Sequence, residues 1–235
     1  MKDNTMTETQ SDLLLGARTI FPILIAAFPI GLVFGAVAAG KGLSPLEVGL
    51  MSALVFAGGS QFVAMDLWMH PASWSALGFA ALLVNMRHVL MGASLDRALG
   101  GFRGLSKPLA LMVMADENWA LAEARSRTAR LTPAYYFGMA APFYFNWIAA
   151  SLIGAGLGAL LGDPALTGLD FAFPALFIVL VMGFWKGRAT ALVLLASGAA
   201  AVVTHQTIGG VWHIVAGALA GLIAATAIAL KGDAA

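Results

Sequence analysis

The sequence predicts an all-α, polytopic transmembrane helix bundle, and three observations carry that prediction. Of 235 residues, 60% are hydrophobic and 11% charged, against roughly 45–50% and 25% in a soluble domain. The apolar excess falls in charge-free windows at 19–40, 131–162 and 204–230, each reaching the ~20 residues that cross a bilayer core. The chain also holds 27 Gly and 9 Pro, several inside those windows, as membrane bundles tolerate and soluble helices resist.

Seven spans follow in order, at about 19–40, 47–67, 74–95, 133–161, 171–185, 189–204 and 209–230. The remainder is a polar tail over 1–18, a short tail over 231–235, and a segment at 108–123; residues 19–230 form one transport domain. The first twelve residues lack the basic start and short apolar core of a cleaved signal, so the first span serves as its own insertion signal. In 108–123, Pro108 to Ala115 supplies eight residues before Asp116, Glu117 and Asn118 interrupt, too few for a crossing. The residues leave open whether that segment spans, re-enters or lies at the surface.

Lys and Arg in short loops mark the cytoplasmic side. With seven spans and the N-terminus outside, ten basic residues fall inside and only Lys2 and Arg18 outside. With eight spans and the N-terminus inside the split is eight to four, stranding Arg97, Arg103 and Lys107 together. The expectation is therefore N-out and C-in, with Arg18 fitting worst. Under it the first and second triplets of spans run in opposite directions, as in an inverted 3+3 repeat with one further span. The middle member of each triplet is interrupted, by Gly58-Gly59-Ser60-Gln61 in the first and by Phe173-Pro174 in the second. Such interruptions point to a transporter binding site; the alternative is that the glycines let helices pack closely and Pro174 starts a helix. Pro29 and Gly31 interrupt the first span similarly, or form a packing kink.

The third span carries Asn85, Arg87 and His88. An Arg at a helix centre costs roughly 2.5–3.5 kcal/mol on insertion scales, so it calls for a partner, a cavity or a route to the interface. Asp116 and Glu117 supply the counter-charge if 108–123 dips into the bundle. An imidazole titrates near neutral pH, so His88 with those carboxylates can form a proton relay; a neutral histidine bridging helices is the bland alternative. Ser60, Gln61 and Asn85 offer hydrogen bonds to a solute, and amides freed at Gly58 and Gly59 can hold a carboxylate. Phe34 and Phe56, with Phe62, offer an apolar pocket or plain packing, and Asn146 either glues helices or touches a ligand. A net charge of +1 gives nucleic acid nothing to recognise, and no cysteine is available for thiolate chemistry. There is no hydrolase, Walker or dinucleotide motif, so the chain is read as a transporter and not an enzyme, with no cofactor or metal.

Several stretches resemble the AzlC-type permeases, the large subunits of two-component branched-chain amino acid exporters. They are Phe28-Pro-Ile-Gly-Leu-Val-Phe-Gly35, Gly42-Leu-Ser-Pro-Leu-Glu47, Phe56-Ala-Gly-Gly-Ser-Gln-Phe62, Asn85-Met-Arg-His88, Asp116-Glu117 and Gly168-Leu-Asp-Phe-Ala-Phe-Pro-Ala175, covering roughly 16–190. The resemblance implies export of leucine, isoleucine, valine and methionine across a bacterial inner membrane, coupled to protons, with a small AzlD-type membrane subunit. It draws attention to Gln61, Asn85, Arg87, His88, Asp116, Glu117, Asp170 and Pro174. Two other classes fit the bare residues: a channel lined by Gln61 and Asn85, and a scaffolding subunit.

Overall fold

A computed structural model of the chain describes residues 2–69, 71–161, 171, 178, 181, 182, 185, 187–209 and 212–232. Those residues are helical or in short connections, and no strand occurs among them. Five helices are long and apolar enough to cross a membrane: α1 (Lys2–Gly40, crossing window Thr9–Gly40), α4 (Trp74–Leu95), α7 (Pro133–Leu161), α8 (Arg188–Thr207) and α9 (Trp212–Gly232). Shorter helices lie between them: α2 (Pro45–Val55), α3 (Gly58–Asp66), α5 (Ser106–Met112) and α6 (Asp116–Ser126). The chain divides into two compact units, Met1–Met65 with Val84–Asp170, and Asp66–Leu83 with Phe171–Ala235.

The first unit is built on α1 and α7. Asp12 accepts a hydrogen bond from Thr132 at 2.6 Å, Leu24 O accepts one from Asn146 at 3.3 Å, and Gly31 lies against Ala150. Partner numbers rise together along both helices, so α1 and α7 run parallel. Small residues permit the approach: a Cβ on Gly35 would collide with the Ser151 carbonyl, and one on Gly154 with that of Leu32. In a bilayer such packing, not water exclusion, drives helix association.

Three expectations are corrected here. The polar tail is not separate, because α1 is helical from Lys2 and docks Asp12 and Gly16 on the start of α7. Pro29 and Gly31 do not break α1; the helix continues through both prolines, and Gly31 is a contact point for Ala150. Asn146 is helix glue.

The third correction concerns 47–67. Ser44 caps α2: its Oγ accepts from the Glu47 amide at 3.3 Å, while Glu47 Oε2 accepts from the Ser44 amide at 2.7 Å, which lowers the Glu47 pKa. The helix then ends at Phe56, held left-handed at φ 41°, and α3 returns. Gly49 faces Leu152, Tyr144 donates to Ala53 O at 2.9 Å, and Phe56 sits on Phe143 and Tyr144. Gly58 then faces Trp147, while Phe62 meets Phe34, one helical turn back along the central pair. Gln61 Nε2 donates to Ser52 Oγ at 3.3 Å, whereas nine residues of straight helix would separate them by ~13.5 Å. The segment is a helical hairpin that folds back on itself.

Folding back instead of crossing changes the direction of everything downstream. That is why α1 and α7 are parallel, and why the opposed orientation of spans one and four does not hold. The expected span 171–185, with Pro174 and Asp170, lies almost wholly outside the described residues, and with it the middle member of the second triplet of the proposed repeat. In the second unit α8 and α9 are antiparallel, with Gly217 against Ala201, Gly221 against Ser197 and the His205 ring 5.2 Å from that of His213.

Candidate functional site

A second hairpin forms from α5 and α6. Lys107 pairs with Asp96 at 2.7 Å, Leu111 and Met114 lie over Gly92, and Asp116 reaches Arg87, so α5 descends along α4. Its partner α6 climbs back: Trp119 Nε1 donates to Ser94 Oγ at 2.9 Å, and Arg125 ends over the Tyr135 ring beside Asp12. Asn118 holds the turn. Fully buried, its Oδ1 accepts from the Ala115 amide at 2.9 Å and its Nδ2 donates to Val113 O at 2.8 Å. Residues 108–123 thus lie in a helical hairpin over Ser106–Ser126, folded back along α4.

The returning helix of each hairpin starts at its tip, so two helix N-termini point into the interior. The first-turn amides of Gly58, Gly59 and Ser60 have no intrahelical acceptor and sit at the positive end of α3. Asp116 and Glu117 occupy the corresponding turn of α6, complementing its dipole. Both tips meet α4. Asn85 Nδ2 donates to Ser60 Oγ at 3.3 Å, and Arg87 Nη1 lies 2.8 Å from Asp116 Oδ2. Two residues apart on one helix, they tie one tip each.

Neighbouring polar atoms are left over. Asn85 Oδ1, Arg87 Nε and His88 Nδ1 are out of solvent contact and have no hydrogen-bond partner. They leave an acceptor, a cationic donor and an imidazole nitrogen within four residues open to further polar partners. Asp96, at the far end of α4, is held below the usual carboxylate range by the hydrogen bond and charge of Lys107.

The expected residues fall into distinct places. Gly58, Gly59, Ser60 and Asn85 converge at the first tip, and Arg87 with Asp116 at the second, where Glu117 is close enough to feel both charges. His88 instead lines a groove with Asp96 and Met114. Gln61 is fully buried with both ends of its amide engaged: Oε1 accepts from Trp147 Nε1 at 2.8 Å while Nε2 bonds Ser52. It fastens the hairpin to α7. Phe34 stacks on Trp147 and meets Phe62, while Phe56 packs on Phe143 and Tyr144, so these rings fill space beneath the tip. Ser52 and Trp147 escaped the sequence reading, and Asn118 entered it only as an interruption of an apolar run. Ser52 looks like any small helix residue, and Trp147 lies 86 residues from Gln61. Among the described residues no three His, Asp or Glu side chains gather to hold a metal ion.

Comparison with known proteins places this geometry in context. Residues 22–161 match the family described as AzlC protein. The chain is 34% identical over 199 residues to the inner membrane protein YgaZ of Escherichia coli K12, covering 80% of each. It is 30% identical over 204 residues to an uncharacterized membrane protein of Archaeoglobus fulgidus, covering 86% of this chain and 88% of the other. It is 28% identical over 189 residues to the branched-chain amino acid transport protein AzlC of Bacillus subtilis, covering 77% and 73%. No solved structure matches the chain.

Proposed function

Because this chain belongs to the AzlC family, we propose that it is the large subunit of a secondary transporter that exports branched-chain amino acids across the inner membrane. Leucine, isoleucine, valine and methionine are its substrates, protons drive it, and a small AzlD-type membrane subunit completes it. The naming of the Bacillus subtilis relative supports the substrate class. The observation that carries the site is the attachment of both hairpin tips to α4, through Ser60–Asn85 and Arg87–Asp116, beside three unsatisfied polar atoms. The substrate carboxylate takes the amides of Gly58 and Gly59 with Arg87 Nε, and its ammonium takes Asn85 Oδ1 and a carboxylate of Asp116 or Glu117. Asp116 and Glu117, with His88 one residue from Arg87, carry the proton. Phe34 and Phe56 back the tip rather than open a pocket, and Gln61 holds it. The mechanism is transport without catalysis.

Orientation belongs to the same proposal. The start of α1 and the basic stretch 97–130 share one end of the first unit, joined by Asp12 to Thr132 and Arg125. If that end is cytoplasmic, Lys2, Arg18, Arg97, Arg103, Lys107, Arg125, Arg127 and Arg130 of the first unit lie inside and Lys41 outside. That partition removes the anomaly of Arg18.

Counterflow of labelled leucine, isoleucine, valine and methionine in proteoliposomes, with and without the small subunit and an imposed pH gradient, tests the reading. Saturable exchange that responds to the gradient supports it. Solute flux without saturation or coupling would replace it with a channel, and absence of flux with the small subunit present would leave a scaffold.

A further inference from the structure

One feature of α4 lies outside the tips. Between α4 and α5, on the end of the first unit that carries the basic stretch, is a groove of about 620 Å³ lined by His88, Val89, Gly92, Asp96, Leu111 and Met114. Its size lies within the ~300–1,000 Å³ of small-molecule sites. Its lining combines charge with apolar surface. Asp96 in the lining pairs with Lys107, 2.7 Å away, and both are exposed. Val89, Leu111 and Met114 supply the apolar surface, with space kept by Gly92, whose missing Cβ would stand 3.5 Å from Leu111 and 3.9 Å from Met114. His88, about 12 Å along α4 from Asp96, adds an unpartnered Nδ1.

We propose that this groove is a loading site for a zwitterionic amino acid with an aliphatic side chain, distinct from the site at the hairpin tips. Asp96 takes the ammonium and Lys107 the carboxylate, exchanging their mutual contact for two charge-assisted ones. The side chain lies against Val89, Leu111 and Met114. His88 shares the lining with Asp96 and adjoins Arg87 in sequence, so the groove links the basic face to the residue next to the one that holds the second tip. Asp96, kept ionised by Lys107, suits an ammonium at neutral pH. A lipid tail would use the wall but not the opposed charges, and an inorganic anion would use Lys107 but not Asp96 or the wall.

The inference rests on the transport reading, and its test separates the two. The chain has no cysteine, so Leu111→Cys places a single thiol in the groove. Its rate of reaction with a membrane-impermeant maleimide is measured in proteoliposomes whose leucine counterflow is also recorded. Leucine is expected to slow the reaction at least about threefold and glycine, lacking the side chain, to leave it unchanged. Adding Asp96→Asn is expected to raise the half-protecting leucine concentration about tenfold, or 1.4 kcal/mol. Counterflow with no protection, protection indifferent to Asp96→Asn, or a thiol unreactive with and without leucine each overturns the loading site and leaves the transport reading standing. Protection that obeys the Asp96 test without counterflow overturns the transport reading and leaves a leucine-binding groove. Loss of both sinks both.

Discussion

Gln61 shows how a buried amide can serve the fold while resembling a ligand group. Both its ends are committed, one to Ser52 across the hairpin and one to Trp147 on α7. Gln61→Ala therefore strands the indole N–H, which costs about 1–3 kcal/mol. Thermal unfolding in detergent should show that loss, with Ser52→Ala milder because Ser52 supplies only one of the two bonds. Arg87 and Asp116 are different in kind, since their 2.8 Å contact lies beside unsatisfied atoms. Arg87→Ala or Asp116→Ala should lower leucine counterflow by at least about tenfold, equivalent to 1.4 kcal/mol. The swapped pair Arg87→Asp with Asp116→Arg should recover part of it; no recovery above either single variant would argue that the pair does not act as a unit. The pairing was legible in the sequence because an intramembrane arginine demands a counter-charge. The Gln61–Trp147 bond was not, because nothing local to either residue announces a partner on another helix.

At the scale of elements, packing between α1 and α7 depends on positions without side chains. Gly35→Ala would drive a methyl into the Ser151 carbonyl and should abolish folded protein. Gly156→Ala, on the same helix as Ser151 but with open space around it, should leave stability unchanged or slightly improved. Expression and unfolding of the two variants check the contrast, and equal behaviour would contradict the contact. The dip of 108–123 could be anticipated because Asp116, Glu117 and Asn118 cut an apolar run short. The hairpin at 47–67 could not. Its twenty-one residues are long enough and apolar enough on average to cross, and the reversal lies in the left-handed Phe56, a backbone state that a phenylalanine does not advertise. The sequence signal at Gly58 and Gly59 found the right neighbourhood but placed the break two residues late.

For the whole molecule, one misjudged element changes the topology. Counting 47–67 as a crossing puts the start of α1 opposite the basic stretch 97–130, and counting 108–123 as a further crossing divides that stretch, leaving Arg97, Arg103 and Lys107 with Lys41 and Arg125, Arg127 and Arg130 on the other side. Two re-entrant hairpins, entering from opposite ends of α4, restore the parallel course of α1 and α7 that their contacts require. They also bring two half-helix N-termini to the middle of one spanning helix, where a transporter can bind a solute without extended polar surface in lipid. Helix content and membrane character were legible from composition alone. Direction was not, because parity depends on which apolar segments turn back.

The most direct test uses the absence of cysteine. Ser11→Cys, Lys41→Cys and Arg103→Cys, each alone and all at exposed positions, are labelled from one side of sealed vesicles with an impermeant thiol reagent. Two re-entrant hairpins predict that Ser11→Cys and Arg103→Cys react from the same side and Lys41→Cys from the other. Arg103→Cys reacting together with Lys41→Cys would contradict the account.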